Sequence, residues 1–550
     1  MKKRLLCVLT VACIIAGLFT GCGKEEVVQV DDTPPESKGK NEYGWDIPVN
    51  TTEFSYYVKG KGNPDKAKKN SAQMQKYMLD NFNVKIDKIV YDTDGDERLN
   101  LMLSSGEYPE VITNMSKTDV DKWKEQGKII DLTPYVDKVG KDIKKELGKD
   151  YGRYLDDDKK IYGLPYGWGM LPIPDTSAHI RWDWYQQMGS PKFETPEEYY
   201  EILKQMVAAH PKNAKGEKVY ALSWNENCSI DTVAGIWGLK EGYKEDADHN
   251  LTHWINTPEG LEFTKFYNQV YRDGMLDPDA FSNKYDEWKA KFAGERIAGH
   301  IGGWWESWNA GHEIWQKENK DWKEEQRYVQ VKIKAANAPA AYLSPKDTTG
   351  WGYTVITDKC KNPEDLMRFF NFNITPTGTR LMAWGIPNEE NSNWNFQDGK
   401  WSYSEKAKDG IINGTYDYDA HYLLGPNQFW FCHPQGVMSD DESANAWIDQ
   451  CFNNDAKWKK LMNDNLKDTI YDSSALDQIF PEFDDPIKVK MQQVYDTAQT
   501  YWAKAVLSKT EGEFDKNYEQ LKSMLDKAGV NEVQEYISKE YKKNLEKLSK

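Results

Sequence analysis

At 550 residues the chain is far too long for one ordinary core, so two or more lobes are expected. Its formal net charge of -17 at pH 7 argues against nucleic acid as a partner, because phosphate contacts need clustered Lys and Arg and the basic residues here are interspersed with more numerous carboxylates. The 22 Trp and 32 Tyr, in a chain of mean hydropathy -0.81, are more than a hydrophilic protein needs to fill its core. Trp beside Asn, Asp and Glu is the chemistry of sugar recognition, with indole stacking on the apolar face of a pyranose while amides and carboxylates bind its hydroxyls.

The first residues read as an address. Lys2, Lys3 and Arg4 precede an apolar run over 5–19 that is too short to span, and Thr20-Gly21-Cys22 is a small-residue cleavage site. The pattern resembles a bacterial lipobox, with Phe19 where Leu is usual, and implies a signal peptide over 1–21, a lipid on Cys22 and residence on the extracytoplasmic face of the membrane. Residues 22–50, rich in Lys, Glu, Asp, Pro and Gly, are expected to form a flexible tether. Of the later cysteines, Cys228, Cys360, Cys432 and Cys451 have no zinc-site spacing, which leaves buried thiols and disulfides both open.

Strand, helix and strand are expected over 54–58, 64–82 and 84–90. Asp92-Thr93-Asp94-Gly95-Asp96 departs from a calcium loop, since Gly95 comes two residues early and the twelfth position is Leu103 rather than Glu; no metal is expected. Asp96 can cap a short helix that Gly106 and Pro109 stop before a buried strand at 111–113, and alternation of this kind implies a parallel sheet. A helix ending at Gly127 precedes an extended LTPY segment and a strand at 161–165. Gly167 and Gly169 flank Trp168, which either presents its ring at a hinge or packs beneath it. Arg181 and Asp183 either bind ligand hydroxyls or pair with each other at a strand–helix corner, and Thr195 caps a helix with Pro196 at its first position. A strand at 221–224 aims Trp224 at the carboxyl edge of a second sheet, where ligands of open α/β sheets sit.

A helix capped by Thr257 and ended by Gly274 follows. At the end of the next strand, Gly302-Gly303 precede Trp304, Trp305 and Glu306, so at least one of the two indoles is expected in a cleft with Glu306 and Asn309 as polar partners. Beyond it come a strand at 351–357, a helix opened by Pro363, a hairpin around Asp398-Gly399, an aromatic stretch in which Trp430 is either a third platform or core, and two terminal helices split by Gly529.

Taken in this order, the LNLMLSSGEYPEVITNM, IYGLP, HIRWDWYQQMG, FAGERIAGHIGGWW and TPTGTRLMAWG stretches resemble the extracellular solute-binding proteins, the ligand-capturing subunits of ABC importers. The resemblance implies a two-lobed α/β fold, each lobe a mostly parallel sheet flanked by helices, with the ligand cleft at the hinge. Lobe one would comprise 51–165 and 350–385, and lobe two 166–349 and 386–550. It implies a monomeric, lipid-anchored protein that captures an oligosaccharide and docks on a two-subunit permease, without cofactor or catalysis. The expected ligand-binding residues are Asn114, Trp168, Arg181, Asp183, Trp224, Trp304, Trp305, Glu306 and Trp430. Rival readings are a secreted glycoside hydrolase, which needs two carboxylates across the scissile bond, and binding of a peptide or uronate. No GxSxG, HExxH or P-loop occurs to support an enzyme, and no repeats point to a scaffold.

Overall fold

The computed structural model describes residues 36–548 apart from 62–63, 93–94, 157, 170–173, 175, 226–229, 319, 347–348, 351, 391, 413–431, 433–460, 463, 478, 480 and 482–484. Cys22, Trp430, Cys228, Cys451 and the 93–94 part of the DTDGD turn therefore lie outside the described residues. Among the described residues, Cys360 and Cys432 are free thiols, and no helix is long and apolar enough to cross a membrane.

Strands β1 (Ser37–Lys40) and β2 (Asp46–Pro48) pair within the segment expected to be tether. Tyr43 and Trp45 explain the difference: both are buried, Trp45 against Phe82, Phe369 and Phe372, with its indole N–H donated to Phe82 O at 2.9 Å. Two aromatic residues anchor a stretch whose composition otherwise reads as solvated.

The first lobe is built on β3 (Thr52–Lys61), β4 (Val84–Asp92), β5 (Val111–Met115) and β6 (Leu164–Tyr166). The second uses β7 (Thr176–Arg181), β8 (Tyr220–Leu222), the β9 (Tyr243–Glu245) and β10 (Leu251–His253) hairpin, β11 (Ile297–Gly303) and β12 (Tyr328–Val331). Then β13 (Ser344–Lys346) leads back to β14 (Gly352–Ile356) in the first sheet, and β15 (Trp394–Gln397), β16 (Lys400–Tyr403) and β17 (Ile470–Asp472) follow. Strand order is β4-β3-β5-β14-β6 in one sheet and β12-β7-β11-β8 in the other.

The two-lobed α/β architecture is as expected, but the pairing is mixed rather than mostly parallel. β3 runs parallel to β4 and β5, whereas β14 is antiparallel to β5 and β6, because it returns from the other lobe. In the second sheet β7 enters from the hinge and is antiparallel to both β11 and β12, leaving β8 and β11 as the parallel pair.

Local signals explain the helices that cover these sheets. Thr195 and Glu198 form a capping box on the helix Pro196–Ala209, Thr257 caps Pro258–Arg272, and Gly529, in the left-handed conformation, separates Glu511–Ala528 from Val530–Leu548. Asp96 falls inside the helix Gly95–Ser105 rather than capping it. The LTPY segment is helical, not extended, since Pro134 sits at the first turn of Thr133–Val139, where its fixed φ suits a helix. The β15–β16 hairpin packs Phe396 on Tyr43 at 5.1 Å and Trp394 and Trp401 on Trp384, which places it on the first lobe and not, as expected, the second. The terminal helices complete the second core, where Trp502 meets Phe263 and Tyr267 and Asn268 donates to Val506 O and Ser508 O.

Candidate functional site

The chain leaves the first sheet at Tyr166, the carboxyl end of β6, and enters the second at Thr176, which is paired with Gly303 at the carboxyl end of β11. The return path runs from β13 to β14, whose first residue pairs with Tyr166. Both connections thus join the carboxyl edge of β5, β6 and β11, the edge where α/β sheets bind ligands. Ser344 Oγ donates to Thr176 O at 3.1 Å, Tyr154 OH donates to Thr349 O at 3.1 Å, and Arg153 reaches Ser474 Oγ at 3.1 Å, so the crossing strands are pinned to each other and to both lobes.

On the first lobe this edge carries Lys59, Asn114 and Trp168. Asn114 adopts a left-handed φ of 61° and donates its amide to Lys59 O at 2.8 Å, while Lys59 Nζ is paired with Asp119 at 2.6 Å. Asn114 is therefore partly committed to its own loop. Trp168 is 6% exposed, with the buried Cys432 thiol beside its indole nitrogen. Gly350 passes so close that an added Cβ would lie 2.6 Å from Tyr166 O, and its φ of 94° suits glycine alone. Trp168 is packed under the crossing strands, with only a rim accessible.

On the second lobe the edge carries the sequence Gly302 to Ser307. Trp305 is 39% exposed, and it is the one Trp among the large exposed apolar side chains of the described residues. Trp304 is buried and meets Trp305 edge-on, at 5.8 Å between centroids. Glu306 Oε2 accepts from Gly303 N at 2.9 Å and from His300 Nε2 at 3.1 Å. Burial opposes its charge, yet these hydrogen bonds hold its carboxyl below the ordinary Glu range. His179, on β7, accepts from or donates to Ser307 Oγ at 3.0 Å and contacts Gly302 O at 3.1 Å; burial lowers it to about 3, so it is neutral. A carbonyl only accepts, so Nε2 carries the proton and Nδ1 accepts from Ser307. His179, His300 and Ser307 escaped the sequence reading, although His300 stands two residues before Gly302, where strand alternation puts it on the same face as the turn that follows.

Three expected ligand residues are elsewhere. Arg181 pairs with Tyr328 across β12 and lies five strand positions from Thr176, about 17 Å from the Gly303 edge. It is 1% exposed, forks onto Asp183 (Nη2 to Oδ2, 2.9 Å) and Glu295, and stacks on Trp315 at 4.3 Å, so Arg181 and Asp183 fix a corner at the wrong end of the sheet. Trp224 is 2% exposed and enclosed by Tyr267, Phe281 and Trp502 at 5.3 to 6.2 Å, which makes it core. The polypeptide does bring Asn114, Trp168, Trp304, Trp305 and Glu306 to the joined edges, with Asn309 in the short helical segment Trp308–His312 that follows.

Two α/β lobes linked by crossing strands, with polar and aromatic groups gathered at the joined edges, define a solute-binding protein. The chain belongs to the bacterial extracellular solute-binding protein family, whose profile matches residues 72–388. It is 24% identical over 355 residues to the fructooligosaccharide ABC transporter substrate-binding protein FusA of Streptococcus pneumoniae, covering 60% of this chain and 62% of that one. It is 25% identical over 204 residues to lipoprotein LipO of Bacillus subtilis, covering 34% and 38%. The match thus spans less than two thirds of either curated relative. The fold agrees over more of the chain: FusA in complex with kestose superposes with a TM-score of 0.66 at 18% identity, covering 90% of this chain and 99% of that one. The alginate-binding protein AlgQ2 gives 0.64 at 15%, covering 92% and 100%.

Proposed function

We propose that this protein captures an oligosaccharide between its lobes and delivers it to the permease of an ABC transporter, acting as a monomer held to the outer face of the membrane through a lipid on Cys22. The observation that carries the reading is Trp305, a large indole left open at the carboxyl edge of a buried sheet with a hydrogen-bonded carboxylate beside it. An exposed aromatic flanked by oriented polar groups is a stacking platform for a sugar ring. The rim of Trp168 and the amide of Asn114 supply the opposite wall, and hinge closure along the connections between the lobes removes water from the sugar. The name of one relative supports the ligand class: FusA is a fructooligosaccharide binder. A member of a solute-binding family captures rather than converts, so no acid and base pair is required.

The test is titration calorimetry of residues 23–550 against a panel of neutral oligosaccharides, including fructooligosaccharides, with uronates and peptides as comparison ligands. Micromolar or tighter binding of a neutral oligosaccharide supports the reading. Binding of peptides alone, or no binding across the panel, overturns it.

A further inference from the structure

The sheet of the second lobe has one apolar face, with Ala178, Ile180 and Val331 toward the helix Pro196–Ala209, and one buried polar face carrying Ser177, His179, His300 and Gln330. The turn bearing Trp305 lies over the polar face. Two histidines on neighbouring strands contact two successive residues of that turn, His300 to Glu306 and His179 to Ser307, with their rings 5.5 Å apart.

Both glycines before the Trp pair are explained by this arrangement. A Cβ on Gly302 would lie 2.2 Å from Glu306 Oε2 and 2.3 Å from His300 Nε2, so the His300 to Glu306 contact passes directly over it. A Cβ on Gly303 would lie 2.4 Å from the Trp305 ring, so that ring rests on the bare backbone. His300 itself is 2% exposed, packed by Trp288 and Phe292, and its buried Nδ1 has no hydrogen-bond partner among the described residues. An unpaired buried nitrogen costs stability, and a purely apolar ring would fill the same pocket without that cost. What an apolar ring lacks is the Nε2–H aimed at Glu306, a carboxylate that can only accept.

We propose that His300 is a positioning residue for ligand capture: it does not touch the sugar, but anchors Glu306 and thereby fixes the turn that holds Trp305 open on its glycine ledge. This rests on the oligosaccharide reading above. His300→Phe removes the anchor while keeping an aromatic ring in the pocket, and it removes the orphaned Nδ1. His300→Gln keeps a donor at the position of Nε2.

The experiment measures affinity for the tightest sugar of the calorimetric panel and thermal stability for wild type, W305A, H300F, H300Q and the H300F/W305A double variant. Expected is a roughly five- to tenfold affinity loss in both W305A and H300F, an unchanged or raised Tm in H300F, near wild-type affinity in H300Q, and no further loss on adding H300F to W305A. Should H300F fail to fold, H300N, whose amide falls short of Glu306, takes its place with the same expected loss. A loss in W305A but not in H300F or H300N overturns the positioning role and leaves the sugar reading standing, as does an additive double variant. Unchanged affinity in W305A overturns the role too, since there is then no platform to hold. Absence of sugar binding by the wild type is instead the failure of the oligosaccharide reading.

Discussion

Trp224→Ala separates the core from the cleft. The indole is 98% removed from solvent and touches three other aromatic rings, Tyr267 and Phe281 edge-on and Trp502 stacked. Truncating a buried Trp to Ala costs about 3–5 kcal/mol, the upper part applying where neighbours cannot collapse into the void. Here the neighbours are aromatic rings on the strand–helix layer and on the helix Pro486–Val506, so a cost of about 4–5 kcal/mol is expected. At about 2–4 °C per kcal/mol for a unit of this size, Tm of the second lobe should fall by roughly 10 °C or more. Scanning calorimetry reads the shift, and sugar titration well below the new Tm should return wild-type affinity. A variant with unchanged Tm and strongly reduced affinity would refute the placement of Trp224 in the core.

Asp183→Ala leaves the buried Arg181 guanidinium with Glu295, the Tyr328 hydroxyl and the Trp rings, and should destabilise by about 3 kcal/mol while sparing sugar affinity, as urea unfolding and calorimetry will show. Burial alone raises the Asp277 carboxyl, but Lys291 at 2.8 Å, with Asn283 and Ser223, outweighs it and holds the group below the ordinary Asp range. The unfolded chain then takes up this proton at a higher pH than the folded one, so the contribution is complete above about pH 4 and is lost as pH falls through the lower folded value. Asp277→Asn should accordingly lower stability at pH 7 by about 3 kcal/mol, with the gap to wild type closing in acid unfolding curves below that range. Adding calcium or EDTA should leave Tm unmoved, because the DTDGD turn reaches its Gly two residues early and has Leu103 rather than Glu at the twelfth position.

Helix caps and hairpin turns were legible because their signals are local: Thr195 with Glu198, Thr257 with Pro258, and Asp398-Gly399 each declare themselves within four residues. The two-lobed plan was legible through the order of motifs. Strand direction was not, since the antiparallel entry of β14 and β7 depends on where a chain returns from, which no window of residues records. For the site, Trp224 and Trp305 each follow a strand of the second sheet, and composition treats them alike. What distinguishes them is the third element each meets: Trp502, nearly 280 residues along the chain, closes over Trp224, whereas Trp305 lies on Gly303. Arg181 and Asp183 were open between ligand contact and a corner pair; a strand of six residues carries them to the opposite edge, where they form the pair. Tyr43 and Trp45 were hidden by the Lys, Glu and Pro around them.

Small-angle X-ray scattering of residues 23–550, with and without the sugar that binds most tightly, tests capture between lobes most directly. The account predicts a smaller radius of gyration on saturation in the wild type, and a return to the open value when sugar is removed chromatographically and recovered unchanged. A saturated protein whose scattering does not change, or a sugar recovered cleaved, would contradict it.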